Sequence, residues 1–314
     1  MKEFIAKKND SNQRLDKYLK KLLPNASTGF LYKMLRKKNI TLNGKKANGT
    51  EILKTNDSIK IFFSDETFEK FSVDLEALKK DFEYLKKLEL KEITIVYEDE
   101  DILAASKPVD MLSQKATPND ISANERLIGY LIRTEKLSFD EFTSFRPSIC
   151  NRLDRNTTGL ILMGKSLKGL QYLSQVLKNR TVNKYYLAIV EGIVSDSIEI
   201  SGYLKKDEQT NKVTISDSQI DEDYLPITTA YRPLETFNNK TLLEVHLITG
   251  RSHQIRAHLA SIGHPIIGDH KYGNKKGKVK SQLLHAYRIE FNDDKRNLEI
   301  IAEPPEIFDK IKEI

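Results

Sequence analysis

Residues 247–273 read LITGRSHQIRAHLASIGHPIIGDHKYG: a strand, a turn and a helix in succession. Leu247 and Ile248 end an alternating segment, Leu242–Ile248, that Thr249-Gly250 terminates; the spacing predicts a helix over His253–Ile262. On that helix His253, Arg256 and Ala260 share a face. His253 and His258 are five residues apart and do not, which disfavours a helical pair of metal ligands. Arg251, His253 and Arg256 gather positive charge beside a helix N-terminus, where phosphate binds readily. No glycine-rich cradle precedes them, which excludes a nucleotide-binding P-loop.

Outward from this stretch, Thr181–Gly192 (TVNKYYLAIVEG) reads as a strand, and alternation sets Tyr185 and Tyr186 on opposite faces. Further out lies Asn151–Ser166 (NRLDRNTTGLILMGKS), in which Asp154 sits between Arg152 and Arg155 ahead of the apolar strand Leu160–Met163. A carboxylate flanked by cations should have a lowered pKa and stay ionised, which suits a nucleophile or base. An aspartate on a loop also caps turns through its own side chain, and from spacing alone that is the more economical reading. Ile93–Tyr97, Ile102–Ser106, Lys184–Val190 and Thr228–Arg232 are further strand candidates; Glu125–Thr134 and Leu167–Asn179 are helix candidates. Many short strands with few helices give an α+β class with a largely antiparallel, mixed sheet.

The N-terminal region differs in character. Of 51 Lys and Arg against 45 Asp and Glu, residues 1–63 hold 15 basic and 5 acidic, and residues 64–101 hold 6 and 13. A domain at 1–63, an acidic connector at 64–92 and a larger body at 93–314 follow from that division. Gln13–Leu23 places Leu15, Tyr18, Leu19 and Leu22 at helical spacing. Ser27 is a candidate N-cap for a second helix with Phe30, Leu31, Met34 and Leu35 as its stripe. Arg36, Lys37 and Lys38 end it. Asn43-Gly44 between short strands signals a hairpin that also carries Lys45. The connector holds a heptad-like run, Leu75, Leu78, Phe82, Leu85 and Leu88, too short for a coiled coil. A lone cysteine, Cys150, no 18-residue apolar run and no signal-peptide pattern lead to the expectation of a soluble cytoplasmic protein. All six histidines lie between 246 and 285, so no earlier segment uses histidine as a base or ligand.

In order, Lys107-Pro108, Arg152-Leu153-Asp154 with Thr157-Thr158-Gly159, Lys184-Tyr185-Tyr186, and Thr249 to Arg256 resemble the RluA-type pseudouridine synthases, in particular the C-type branch that acts on large-subunit ribosomal RNA. Residues 14–62 resemble the small RNA-binding domain shared with ribosomal protein S-four. The resemblance implies a pseudouridine synthase fold and isomerisation of uridine in RNA, with neither cofactor nor metal. It implies Asp154 as the nucleophilic aspartate, Tyr186 as the tyrosine that stacks on the base, and Arg256 as the cation that pairs with the aspartate and keeps it charged. Arg152 matches an arginine implicated in displacing the target base. Arg36, Lys37, Lys38, Lys45, Lys107, Arg251 and His253 are expected RNA contacts. The partner is then RNA, with no membrane, and nothing demands more than a monomer. Asn151 stands where the family usually has histidine, and Asp110 where it commonly has glycine. The same chemistry on transfer RNA, and a non-catalytic ribosome assembly factor, are the two rival readings.

Overall fold

A computed structural model of the chain describes residues 1–273 and 279–313. They fall into two compact units: residues 1–90 with 125–148 and 164–171, and residues 91–124 with 149–163 and 172–314.

In the first unit, strands β1 (Lys2–Ile5), β2 (Ile40–Leu42), β3 (Lys45–Lys46) and β4 (Ser58–Ile61) form a sheet in the order β1-β4-β2-β3. Asn43 and Gly44 join β2 to β3 with φ of 50° and 72°, the backbone an Asn-Gly hairpin needs. Helices α1 (Leu15–Leu22) and α2 (Thr28–Arg36) follow the expected stripes, and the Ser27 hydroxyl accepts from the Phe30 N–H at 3.2 Å. Leu15, Leu19, Leu31 and Leu35 meet Ile59 and Ile61 in one core. Each such side chain contributes roughly 1.5–3 kcal/mol on burial. The sequence reading missed β1. Its four residues alternate too briefly to register as a strand, and Phe4 becomes legible only where it stacks on Phe68.

The acidic stretch holds two helices, α3 (Asp65–Phe71), which the sequence reading missed, and α4 (Leu75–Lys86), which takes up the heptad-like run from Leu75. Ser72 is extended, and the Asp74 carboxylate restarts the helix by accepting from the N–H groups of Glu76 and Ala77. After α5 (Ala123–Arg133) comes α6 (Phe139–Ser144), where Phe139 and Phe142 pack edge-on against Phe82 of α4.

The second unit is built on β5 (Thr94–Glu98), β6 (Ile102–Lys107), β7 (Ser148–Ile149), β8 (Thr158–Gly164), β9 (Val182–Glu191), β10 (Ile198–Asp207), β11 (Lys212–Ser216), β12 (Leu225–Phe237), β13 (Lys240–Leu247), β14 (Leu284–Asp293) and β15 (Arg296–Ile301). Among the described residues the order is β11-β10-β12-β13-β9-β14-β8-β6-β5, with β15 on β14 and β7 on β8. The sheet is mixed, as expected: β14 runs parallel to β8 while its other neighbours are antiparallel. Strand β9 lies between β13 and β14, which places Tyr186 opposite Val245 and Ala286. At the parallel step Gly159 has φ of 105°, and a Cβ there would lie 2.2 Å from the Ala286 carbonyl oxygen, so only glycine fits. Helices α7 (Leu167–Asn179), α8 (Gln254–Ser261) and α9 (Ile307–Lys310) complete the elements used below. No helix of the described residues is long and apolar enough to cross a membrane.

A buried histidine secures the same step. His285 Nε2 donates to the Ala302 carbonyl at 2.8 Å, which leaves Nδ1 to accept from the Thr158 hydroxyl at 2.7 Å. Burial lowers its pKa to about 4, so the folded state holds it neutral where the unfolded chain takes up a proton. Stability from this group is complete above pH 6.5 and lost as pH falls towards 4, a span worth about 3 kcal/mol. His285→Gln keeps both hydrogen bonds without titrating. Urea unfolding of the two proteins between pH 7 and 4 should give a flatter profile for the variant; parallel profiles would contradict the assignment.

Candidate active site

Asp154 opens a turn in which the Thr157 N–H donates to the Asp154 carbonyl at 3.0 Å. Its side chain does not cap that turn. Instead, Arg256 Nη1 donates to Asp154 Oδ2 at 2.7 Å, from 102 residues further along the chain. The flanking arginines expected to supply the positive charge do otherwise: Arg155 Nε donates to Asp110 Oδ1 at 2.7 Å, and Arg152 is exposed.

Three backbone anchors hold this loop. Lys107, expected among the RNA contacts, is wholly buried and touches no solvent. Its ammonium donates to the carbonyls of Pro108, Met111 and Arg155 at 2.9–3.0 Å. Burial lowers its pKa to about 7, opposed by Asp154 and Asp110; three acceptors favour the protonated amine, since a neutral one has only two N–H bonds. The corrected role of Lys107 is therefore to tie the segment after β6 to the Asp154 turn. Ser113 Oγ donates to the Leu153 carbonyl and accepts from the Leu153 N–H, at 2.9 and 3.0 Å. Asn151 accepts from the Leu162 N–H at 2.7 Å and donates to the Leu160 carbonyl at 3.1 Å, so an amide clamps the loop to β8 where the family usually places histidine. The other departure, Asp110, has φ of 58°, a left-handed position that glycine occupies most easily and that aspartate tolerates better than most residues.

Arg256 is the pivot. Its Nε and Nη2 donate to the two oxygens of Asp269, at 2.7 and 2.9 Å, while Nη1 reaches Asp154. Burial alone would lower its pKa; the two carboxylates outweigh that and raise it. Asp269 is wholly buried, and its Oδ1 also accepts from the N–H groups of Lys271 and Tyr272. Burial would raise its pKa, but the bonds from Arg256 prevail and hold it low.

Gln254 knots the preceding turn. Its amide oxygen accepts from the Thr249 hydroxyl and the Arg251 N–H, and its NH2 donates to the Thr228 carbonyl and the Thr229 hydroxyl, all within 2.9–3.1 Å. His253 is not on the helix, contrary to the spacing. It precedes Gln254 with φ of 56°, and α8 begins one residue later, because this left-handed residue turns the chain into the helix. The Tyr272 hydroxyl accepts from the Val213 N–H at 2.9 Å and lies 2.8 Å from His253 Nδ1. His253 Nε2 is 3.8 Å from Asp154 Oδ1. Burial lowers the His253 pKa, with Asp154 opposing it.

Asp154, Tyr186, Arg256, Arg152, Arg251 and His253 thus line one open cavity of about 990 Å3. Arg36, Lys37, Lys38 and Lys45 are exposed in the other unit, and Lys107 lies beneath the cavity lining. Tyr186 is buried and Tyr185 is not: the latter lies on the opposite face, stacked on His246. Burial and the nearby Asp154 charge raise the Tyr186 pKa and keep its hydroxyl protonated. The carboxylate offers an acceptor beside the cavity, with one oxygen held by Arg256; this suits attack or proton abstraction on a planar group resting on Tyr186. The sequence reading missed Asp269, Gln254 and Tyr272. All three lie in the 247–273 stretch, but local spacing does not reveal which side chains their folding brings together.

Removing one partner of a buried ion pair leaves the other uncompensated. Asp269→Ala should therefore cost about 3–5 kcal/mol in denaturant unfolding, well above a surface change. A loss below about 1 kcal/mol would show that Arg256 needs no such anchor.

Residues 101–261 match the RNA pseudouridylate synthase family, a span that contains Asp154, Tyr186 and Arg256 together. The chain is 30% identical over 306 residues to an RNA pseudouridine synthase of Mycoplasma capricolum, covering 96% of this chain and 95% of that one. It is 30% identical over 311 residues to the ribosomal large subunit pseudouridine synthase D of Borreliella burgdorferi, covering 98% and 90%. Identity to the C-type synthase of Rickettsia conorii is 33% over 287 residues, 88% of each chain. In fold it resembles human RNA pseudouridylate synthase domain containing 1, with a TM-score of 0.56 at 24% identity over 69% of this chain and 85% of that one. An aspartate–arginine pair beside a buried tyrosine, carried on a sheet of this kind and within sequences so related, makes the chain a member of the RluA-type RNA pseudouridine synthases, isomerases that convert uridine in RNA to pseudouridine.

Proposed function

We propose that the chain modifies uridines of large-subunit ribosomal RNA in the cytoplasm, with Asp154 as the nucleophile or base and without a cofactor. The observation that carries the site assignment is the 2.7 Å contact between Arg256 and Asp154 beside the buried Tyr186. Isomerisation breaks the bond from ribose to N1 of uracil, turns the base and rejoins it through carbon five. Asp154 begins the reaction, Tyr186 stacks on the base with its hydroxyl protonated, and Arg256 positions the carboxylate; the proton lost from carbon five is balanced by one gained at N1. Arg152 is exposed on the cavity lining, where its side chain suits the space left by a displaced base. Taking a base out of its stack costs a few kcal/mol, which a filling side chain partly offsets.

The ribosomal target is supported by the names of the C-type and D-type relatives. The N-terminal unit supports it too. Two helices, a hairpin and a strand in the manner of the S-four RNA-binding domain set exposed Arg36, Lys37 and Lys38 at the end of one helix and exposed Lys45 at the hairpin. Structured RNA is generally held in this way, by shape and backbone.

Asp154→Asn should abolish pseudouridine formation while RNA affinity stays within a few-fold of wild type; an active variant would refute Asp154 as the initiating group. Replacing Arg36, Lys37, Lys38 and Lys45 together by Glu should weaken RNA binding. It should also flatten the slope of log affinity against log salt by about 0.7–0.9 for each phosphate no longer neutralised. An unchanged slope would remove the RNA role of this unit. Mapping pseudouridines in a deletion strain decides the target, since loss confined to transfer RNA, or no loss at all, would overturn the ribosomal assignment.

A further inference from the structure

Two lysines of the second unit, one buried and one half-buried, are treated differently by the fold. Lys107 gives its ammonium three carbonyl acceptors. Lys184 has none: among the described residues no carboxylate, carbonyl or hydroxyl accepts from it, and the charged group pressing on it is another cation, Arg180. It is half-buried on β9 and lines the cavity that holds Asp154. Two residues before Tyr186, it shares that side chain's face of the sheet, about 6–7 Å along the strand.

The turn at Gly250 comes close to this ammonium. A Cβ on Gly250 would lie 3.3 Å from Lys184 Nζ, so the turn runs within contact distance of the amine. The next residue, Arg251, also lines the cavity and buries its Nε without a hydrogen-bond partner. A half-buried ammonium with no counter-charge is disfavoured, and an entering anion relieves it. RNA brings one full negative charge per nucleotide, on its phosphodiester, whereas the uracil carbonyls are neutral.

We propose that Lys184, assisted by Arg251, is a phosphate site inside the catalytic cavity, taking a phosphodiester of the target uridine or its immediate neighbour. This rests on the cavity around Asp154 being the active site. The side chain thereby fixes how far the nucleotide enters, with its backbone on Lys184 and its base against Tyr186. Burial and the neighbouring Arg180 lower the Lys184 pKa, as expected for a cation whose partner arrives with the substrate.

The test uses the full-length protein and an RNA fragment carrying a mapped target uridine. Lys184→Met, which keeps length and removes charge, should weaken binding about tenfold. It should also lower the salt slope by about 0.7–0.9 and act on kcat/KM chiefly through KM, whereas Lys184→Arg recovers the slope. A neutral methylphosphonate placed in turn on each side of the target uridine should weaken wild-type binding at one position and leave Lys184→Met indifferent there. An unchanged slope in a folded Lys184→Met, or wild-type affinity unmoved by either methylphosphonate, overturns the proposal. The second readout uses wild-type protein alone and stands even if the variant does not fold. Failure of the underlying site assignment shows separately, as activity in Asp154→Asn.

Discussion

One guanidinium bears two carboxylates. Arg256 grips the wholly buried Asp269 with two donors and gives its third to Asp154 beside the cavity. A lone guanidinium so deeply placed would be strongly unfavourable, and Asp269 makes it tolerable by bidentate pairing. Asp269 is itself fixed by the N–H groups of Lys271 and Tyr272, so the chain after α8 folds back to support its own first turn. The Asp154 carboxylate is thus held from beneath, by a buried anchor rather than by the exposed arginines beside it.

The same economy governs the remaining supports. Lys107, Ser113 and Asn151 hold the Asp154 loop through backbone carbonyls and N–H groups, not through other side chains. Gly159 lets β14 approach β8 immediately beyond that loop. Fixed surroundings of this kind suit a carboxylate in the role proposed for Asp154, because small misplacements are costly to rate. Unlike these, Lys184 and Arg251 bring cationic atoms to the cavity without internal acceptors.

Much of the fold was legible because its signals are local. The stripes on α1 and α2, the Asn43-Gly44 turn and the break at Thr249-Gly250 each depend on residues a few positions apart. The errors share a cause as well. His253 reads as helical by spacing, yet its left-handed backbone places it before α8. Lys107 reads as a surface cation because lysine usually is one; only the convergence of three carbonyls, one of them 48 residues away, makes its burial possible. In the acidic stretch only the run from Leu75 reads as a helix; α3 escapes notice because its apolar residues, Phe68 and Phe71, are too few to mark a face.

By itself the sequence determined the class of fold, the basic character of residues 1–63, the family, and the short roster from which a site could be drawn: Asp154, Tyr186 and Arg256. These follow from composition, from periods of two and 3.6, and from motifs read in order. The family resemblance already pairs Asp154 with Arg256, 102 residues distant; tertiary structure supplies the 2.7 Å contact and turns Arg155 to Asp110 instead. It alone set Asp269 behind that partner, placed Lys107 in the interior and left Lys184 facing the cavity unpaired. The reason is physical. Propensity and patterning act between near neighbours, whereas the partners of a buried charge are chosen by whichever strands and turns the packed sheet brings within hydrogen-bonding distance.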